Sequence, residues 1–176
     1  MYDALLAMAR ENPAEADFHA LRMAFVRTPH YQPYASDIES LDALGDALHG
    51  DDLDTALAQV KNLLNTNYLD IEAHISADYI YTRRSETAQA TYHRAFARGL
   101  IDSIARTGNG RSFETAFIVI TLAEEYTLLR MLGLQPQTQQ LVQHEEHWFD
   151  VHNVRHGTSG EAIRVYFNVD ILHGLR

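Results

Sequence analysis

Four histidines fall within one short stretch of the C-terminal third, HEEHWFDVHNVRH, as His144, His147, His152 and His156. Imidazoles interleaved with carboxylates are the raw material of a zinc site or of acid–base chemistry. A helical metalloprotease site needs histidines at i and i+4 with a glutamate after the first. Here the first pair is spaced i, i+3, and the surrounding residues read as strand. On a strand, His144 and His147 point to opposite faces, and a hairpin between them would be needed to bring them together. No full ligand set is visible, so these read as surface histidines. Neither a bound metal nor another cofactor is expected.

A second candidate is GNGRS, within TGNGRSFET (107–115). A phosphate loop runs strand, loop, helix, so that backbone N–H groups and a helix dipole converge on the anion. In this chain the order is helix, loop, strand, and no lysine precedes Ser112. The glycines suit the left-handed conformation that closes helices, so the motif reads as a helix end. Cysteine is absent, and no Gly-x-Ser-x-Gly elbow singles out a serine, so no nucleophile stands out.

The third candidate is charge. The chain carries 14 basic and 24 acidic residues, a net −10, and Lys61 is the one lysine. Nucleic acid, which needs clustered Lys and Arg at phosphates, is therefore not an expected partner. Asp37, Glu39, Asp42, Asp46, Asp51, Asp52 and Asp54 follow one another with no Lys or Arg between them. A calcium loop would need a glycine at its sixth position and a closing glutamate, and both are missing. A polar helix face accounts for most of the run, yet such a field also steers basic partners. Glu39, Asp42, Asp46, Asp51 and Asp52 are thus candidate partner-binding residues. Tyr31 and Tyr34, on the proline-stiffened loop TPHYQPY (28–34), join them as aromatic anchors, against the alternative that they pack the loop down.

The elements that hold these residues divide near residue 110. In 176 residues with 46% apolar content, one compact domain burying about 70% of its unfolded surface is expected. Residues 1–107 read as helices. Leu41, Leu44 and Leu48 line one face of a third helix; Ala56, Leu57, Val60 and Leu63 line a fourth. Helices follow over 71–83 and 86–106. The stretch from Thr55 to Leu100 resembles a tetratricopeptide unit flanked by half of another, with Ala56 and Ala90 at the close-approach positions and His74 where a tryptophan is usual. Three units are normally needed for a stable solenoid, so something else must cover this stack. Residues 111–176 read mainly as strands: 116–120, 141–142, 148–154 and 162–169, with a capped helix from Thr121 to a stop at Gly133. HGTSGE is a hairpin turn. The predicted fold is α+β: antiparallel helical pairs followed by a small antiparallel β-sheet. No apolar run approaches the ~20 residues of a membrane span.

TPHYQPY, NYLDIEAH, HRAFARGLIDSI, GNGRSFETAFIVI, EEYTLLRMLGL and YFNVD recur in this order in a bacterial family, domain of unknown function 4919, which the chain resembles over roughly 17–170. The resemblance implies no activity and no catalytic residues. Members often look exported, which implies a periplasmic or secreted location if a leader was removed, and a cytoplasmic one otherwise. His152 stands where the family usually has an aliphatic residue, so its face is expected to be exposed. The favoured expectation is a non-catalytic protein-binding module, an inhibitor or immunity protein that neutralises a basic toxin. Two alternatives stay open. One is an envelope scaffold binding peptides in a groove lined by Tyr79, Tyr81 and His74. The other is a hydrolase built on the histidine-rich hairpin.

Overall fold

The computed structural model describes residues 1–34 and 38–174 and is α+β. By its contacts the chain divides into two compact units, one comprising 1–21 and 35–100, the other 22–34 and 101–176. The division falls inside two continuous helices, α2 (Phe18–Phe25) and α6 (Thr87–Ala105). The sheet-bearing unit thus takes in the 28–34 loop, which lies far from it in sequence.

The first unit is helical. It holds α1 (Tyr2–Glu11), α3 (Ile38–His49), α4 (Leu53–Thr66), α5 (Ile71–Arg83) and the larger parts of α2 and α6. Asp52 caps α4 by accepting from the Thr55 amide at 3.1 Å, and Asp70 caps α5 by accepting from the Ala73 amide at 2.9 Å. Such caps satisfy N–H groups that the helix leaves unpaired. Leu44, Ala56, Leu57, Val60, Leu63, Ala73, Ala77 and Ile80 form one apolar core across α3, α4 and α5. The alanines at 56, 73 and 77 are wholly buried, as expected where helices approach closely. A second, aromatic core centres on Phe96. Phe18 meets it edge-on at 4.9 Å, and His74 stacks on it at 4.3 Å. Gly99 leaves room for the Phe18 ring, which a Cβ at that position would overlap.

The second unit is a four-stranded sheet in the order β1-β4-β3-β2, with α7 (Leu122–Met131) beside it. β2 (Leu134–His144), β3 (His147–His156) and β4 (Ala162–Asn168) are antiparallel. β1 (Phe117–Ile118) pairs with β4 in parallel, a departure from the all-antiparallel expectation. The apolar run 116–120 is buried as predicted, but only two of its residues are strand. Side chains take two of the run's amides: Ile118 N–H donates to Thr107 Oγ1 at 2.8 Å and Ile120 N–H to Glu124 Oε2 at 2.8 Å.

GNGRS is a turn that closes on itself. The amides of Asn109 and Gly110 both donate to the Thr115 carbonyl, at 2.9 and 2.8 Å, and the Arg111 amide donates to Asn109 Oδ1 at 3.0 Å. Donors committed in this way are not available to a phosphate. Gly110 adopts φ +68°, the left-handed region, and its carbonyl accepts from the Tyr166 amide at 2.9 Å.

Candidate functional site

The second unit carries the least ordinary chemistry of the chain. Its foundation is Arg22, wholly buried at the C-terminal half of α2. Arg22 donates from Nε to Glu124 Oε1 at 2.8 Å and from Nη2 to Glu124 Oε2 at 2.7 Å, a bidentate pair. Its Nη2 also reaches the Ile118 carbonyl at 3.0 Å, and its Nη1 reaches Ser103 Oγ at 3.3 Å. Thr121 caps α7, accepting from the Glu124 amide at 3.3 Å. The expected capping box is only half made, because the Glu124 carboxylate is spent on Arg22 and on the Ile120 amide rather than on Thr121. The start of α7 is therefore fixed by ionic hydrogen bonds.

The next residue, Glu125, is the consequence. It is wholly buried and its Oε2 lies 2.8 Å from His152 Nε2, also wholly buried. Among the described residues, Oε1 of Glu125 and Nδ1 of His152 have no hydrogen-bond partner. Burial above all, with a smaller contribution from neighbouring Asp150 and against the opposing contact with His152, pushes the Glu125 carboxyl up to about 7. A carboxyl that holds its proton near neutrality can donate to His152 Nε2; once ionised it accepts from the same nitrogen.

His152 and Asp150 alternate on one face of β3, with Gln139 and Leu141 beside them on β2. Asp150, 8% exposed, accepts from Gln139 Nε2 at 2.6 Å, and Gln139 Oε1 accepts from Tyr126 Oη at 2.8 Å. Phe167 closes His152 from β4, ring edge to ring face at 5.4 Å. Around this acidic centre the surface is apolar and aromatic: Tyr126 is 44%, Leu141 49% and Tyr34 55% exposed. Desolvation, with the charges of Asp150 and Glu125, raises both the Tyr34 and the Tyr126 hydroxyls above the usual phenol value.

The 28–34 loop reaches this place by two anchors. Tyr31 Oη donates to the Ile120 carbonyl at 2.6 Å, and the Leu122 amide donates to the Pro33 carbonyl at 3.0 Å. Tyr31 also packs edge-on against Phe25 at 5.8 Å. Of the two predicted anchors, Tyr31 is thus the residue that packs the loop down, and Tyr34 is the one presented outward.

The four histidines have four separate settings. His144 and His147 face each other directly across the β2–β3 hairpin. His144 stacks on Phe113 at 4.2 Å, whereas His147 Nδ1 donates to Asp170 Oδ2 at 2.6 Å. His156 Nδ1 accepts from the amides of Thr158 and Ser159, both at 3.3 Å, and so organises the β3–β4 turn. His152 is buried, which corrects the expectation that its face is exposed: the neighbouring α7 supplies a carboxyl that the strand sequence cannot reveal. Among the described residues no group of three or more His, Asp or Glu side chains could hold a metal ion.

The predicted acidic residues belong to the first unit and are less uniform than their sequence suggests. Asp51 pairs with Arg83 at 2.9 Å, and Asp54 pairs with Arg84. The run that lacks a basic residue in sequence is therefore partly neutralised in space by the end of α5. Asp52 is the α4 cap, and the Thr55 hydroxyl and amide hold its carboxyl below the usual range. Asp42 and Asp46 are exposed on α3; the side chain of Glu39, like Asp37, lies outside the described residues. His74 turns inward and is wholly buried, Tyr81 is half-buried and Tyr79 is 46% exposed, so these three do not line one surface.

No helix among the described residues is long and apolar enough to cross a membrane. Neither the curated proteins nor the solved structures hold a match to this chain. Residues 2–174 match one protein family, described as Domain of unknown function (DUF4919), and the chain belongs to that family.

Proposed function

We propose that this chain is a non-catalytic protein-binding module that recognises a basic partner through the second unit. The observation that carries the reading is Tyr126, 44% exposed and joined through Gln139 to the Asp150 carboxylate, together with Tyr34, 55% exposed on the loop that Tyr31 anchors. Exposed tyrosine supplies large contact area at low entropic cost, and a neighbouring acid selects a cation. The exposed Asp42 and Asp46 of α3 and a net charge of −10 add a long-range field that speeds the capture of a basic protein. The specific form we favour is an exported inhibitor or immunity protein that neutralises a basic toxin. A catalytic reading is less favoured because Glu125 and His152, the acid–base pair, are both wholly buried. The test is size exclusion of the purified chain with the products of its neighbouring genes. Co-elution that Tyr34→Ala and Asp150→Asn weaken supports the reading; co-elution indifferent to both, or none, overturns it.

A further inference from the structure

The sheet of the second unit has one long open edge. β2 stands last in the order β1-β4-β3-β2, and its residues 135–141 are exposed throughout. The neighbouring strands fix the direction of its backbone groups. The Tyr166 amide donates to the Gly110 carbonyl and the Asn168 carbonyl accepts from the Val119 amide, so both residues of β4 turn away from β3. Val165 and Phe167, which alternate with them, turn toward β3, where they oppose His152 and Asp150. The next alternation turns Val151 and Phe149 toward β2, where they oppose Gln140 and Val142. The N–H and C=O groups of Gln139, Leu141 and Gln143 therefore aim out of the sheet. Among the described residues no other backbone segment bonds to these three from that side.

We propose that this edge pairs with the same edge of a second copy of the chain, antiparallel about a two-fold axis at Leu141, so that two four-stranded sheets become one. The inference is independent of the basic partner proposed above. Register is the first argument for a second copy. β2 has a bulge between Pro136 and Thr138 and turns into the hairpin after His144, so its regular stretch is 138–144 and Leu141 is the centre. Two-fold pairing there sets Leu141 against Leu141 of the second copy, and Gln139 against Gln143 of the second copy. All of these residues aim outward, so each pair exchanges two backbone hydrogen bonds. A centre two residues either way would draw the bulge or the Glu145 turn into the ladder. Charge is the second argument. A chain of net −10 repels its own copy over most of its surface, yet 134–143 carries no charged side chain. Charges, prolines and bulges are what protect open edges from pairing; here Pro136 and the bulge guard one end and leave 138–144 unguarded. The third argument is apolar. Leu141 is 49% exposed at the proposed axis, and pairing covers it with its own counterpart.

The test is sedimentation equilibrium of the full chain at concentrations up to about 1 mM, where even a millimolar dimer is populated. The expected result is a monomer–dimer equilibrium. Leu141→Lys and Leu141→Glu each set like charges face to face and should weaken the dimer about tenfold. An equimolar mixture of the two sets opposite charges face to face and should recover most of that loss. Ile163→Lys and Ile163→Glu, at an exposed position of β4 away from the open edge, should leave association unchanged. In the unmodified chain, the amides of Gln139, Leu141 and Gln143 should exchange with deuterium at least about tenfold more slowly in the dimer. A chain that stays monomeric throughout, its edge then serving a strand of another protein or none, overturns the proposal. A dimer in which these three amides gain no protection, or one indifferent to both Leu141 variants, overturns it equally. Folded Leu141 variants whose mixture associates no better than either alone would show that the axis is not at Leu141.

Discussion

Glu125 Oε2 and His152 Nε2 lie 2.8 Å apart with both side chains wholly buried, and each residue keeps one polar atom without a partner. Burying such a pair is costly unless its charge can be adjusted, and Glu125 adjusts by holding a proton up to about 7. The pair is joined by α7 and β3, elements that Arg22 and the sheet fix independently.

Stability should therefore fall as pH rises through this range. A carboxyl whose folded value lies above its unfolded value stabilises the fold fully below the ordinary carboxylate range. That contribution is lost as pH climbs from the ordinary value of 4.5 to about 7. The slope for one proton is at most about 1.4 kcal/mol per pH unit. Glu125→Gln, a neutral isostere that can still donate to His152, should flatten this part of the profile. Urea unfolding of both proteins across the range checks it; parallel profiles would remove Glu125 as the titrating group.

How much of this was legible beforehand differs by element. The capped helices α4 and α5, the Thr121 cap and the HGTSGE hairpin announce themselves, because caps, stripes and turns are local signals. β2 did not. Its residues 135–141 are exposed throughout, LQPQTQQLVQ shows no apolar alternation, and only pairing with β3 makes it a strand. The site was missed for a related reason. Glu125 and His152 are 27 residues apart and meet only through the sheet. Two hints were present: a histidine in an otherwise apolar strand, and a glutamate pair opening an amphipathic helix. The acidic run misled in the opposite sense, since Arg83 and Arg84 reach Asp51 and Asp54 only in three dimensions.

The first unit has its own acid-sensitive device. His74 Nε2–H donates to the Tyr68 carbonyl at 2.9 Å, which leaves Nδ1 to accept from His93 Nδ1–H at 2.9 Å. This geometry requires the His74 ring to be neutral. Burial lowers His74 to about 3 and His93 to about 4. Groups depressed in this way bind protons more readily when unfolded. Their contribution is intact above the ordinary histidine value of 6.5 and erodes as pH falls toward those lower values. The double variant His74→Phe, His93→Phe should show a shallower acid limb when helix content is followed by circular dichroism. An acid limb as steep as that of the unmodified chain would exclude the pair as its source.

The Arg22–Glu124 pair predicts a strong asymmetry between single and double variants. Arg22→Met strands a buried carboxylate that still faces the Ile120 amide, and removing one partner of such a pair costs roughly 3–5 kcal/mol. Arg22→Met with Glu124→Leu should recover most of that loss, because apolar groups of similar volume need no solvation. Guanidinium denaturation of the two variants measures the difference. Equal destabilisation in the single and the double variant would mean that the pair holds α7 through geometry that no apolar substitute reproduces.

Gly110 offers the simplest test of the turn that resembled a phosphate loop. It combines φ +68° with a position where any Cβ would run into the Phe117 ring and approach Val165. The left-handed backbone alone costs an alanine about 1 kcal/mol, and overpacking against a buried ring adds a further ~1–3 kcal/mol. Phe117 belongs to β1 and Val165 to β4, so the strain would act on the parallel pair that closes this edge of the sheet. Gly108→Ala is no milder, since its Cβ would meet the Thr115 carbonyl that gathers the loop amides. Gly133→Ala is the control: it shares the left-handed conformation at φ +69° but has open space around it, so it should lose only the backbone share. Thermal unfolding of Gly110→Ala and Gly133→Ala separates the two costs. Equal losses would show that the ring contact at Gly110 contributes nothing.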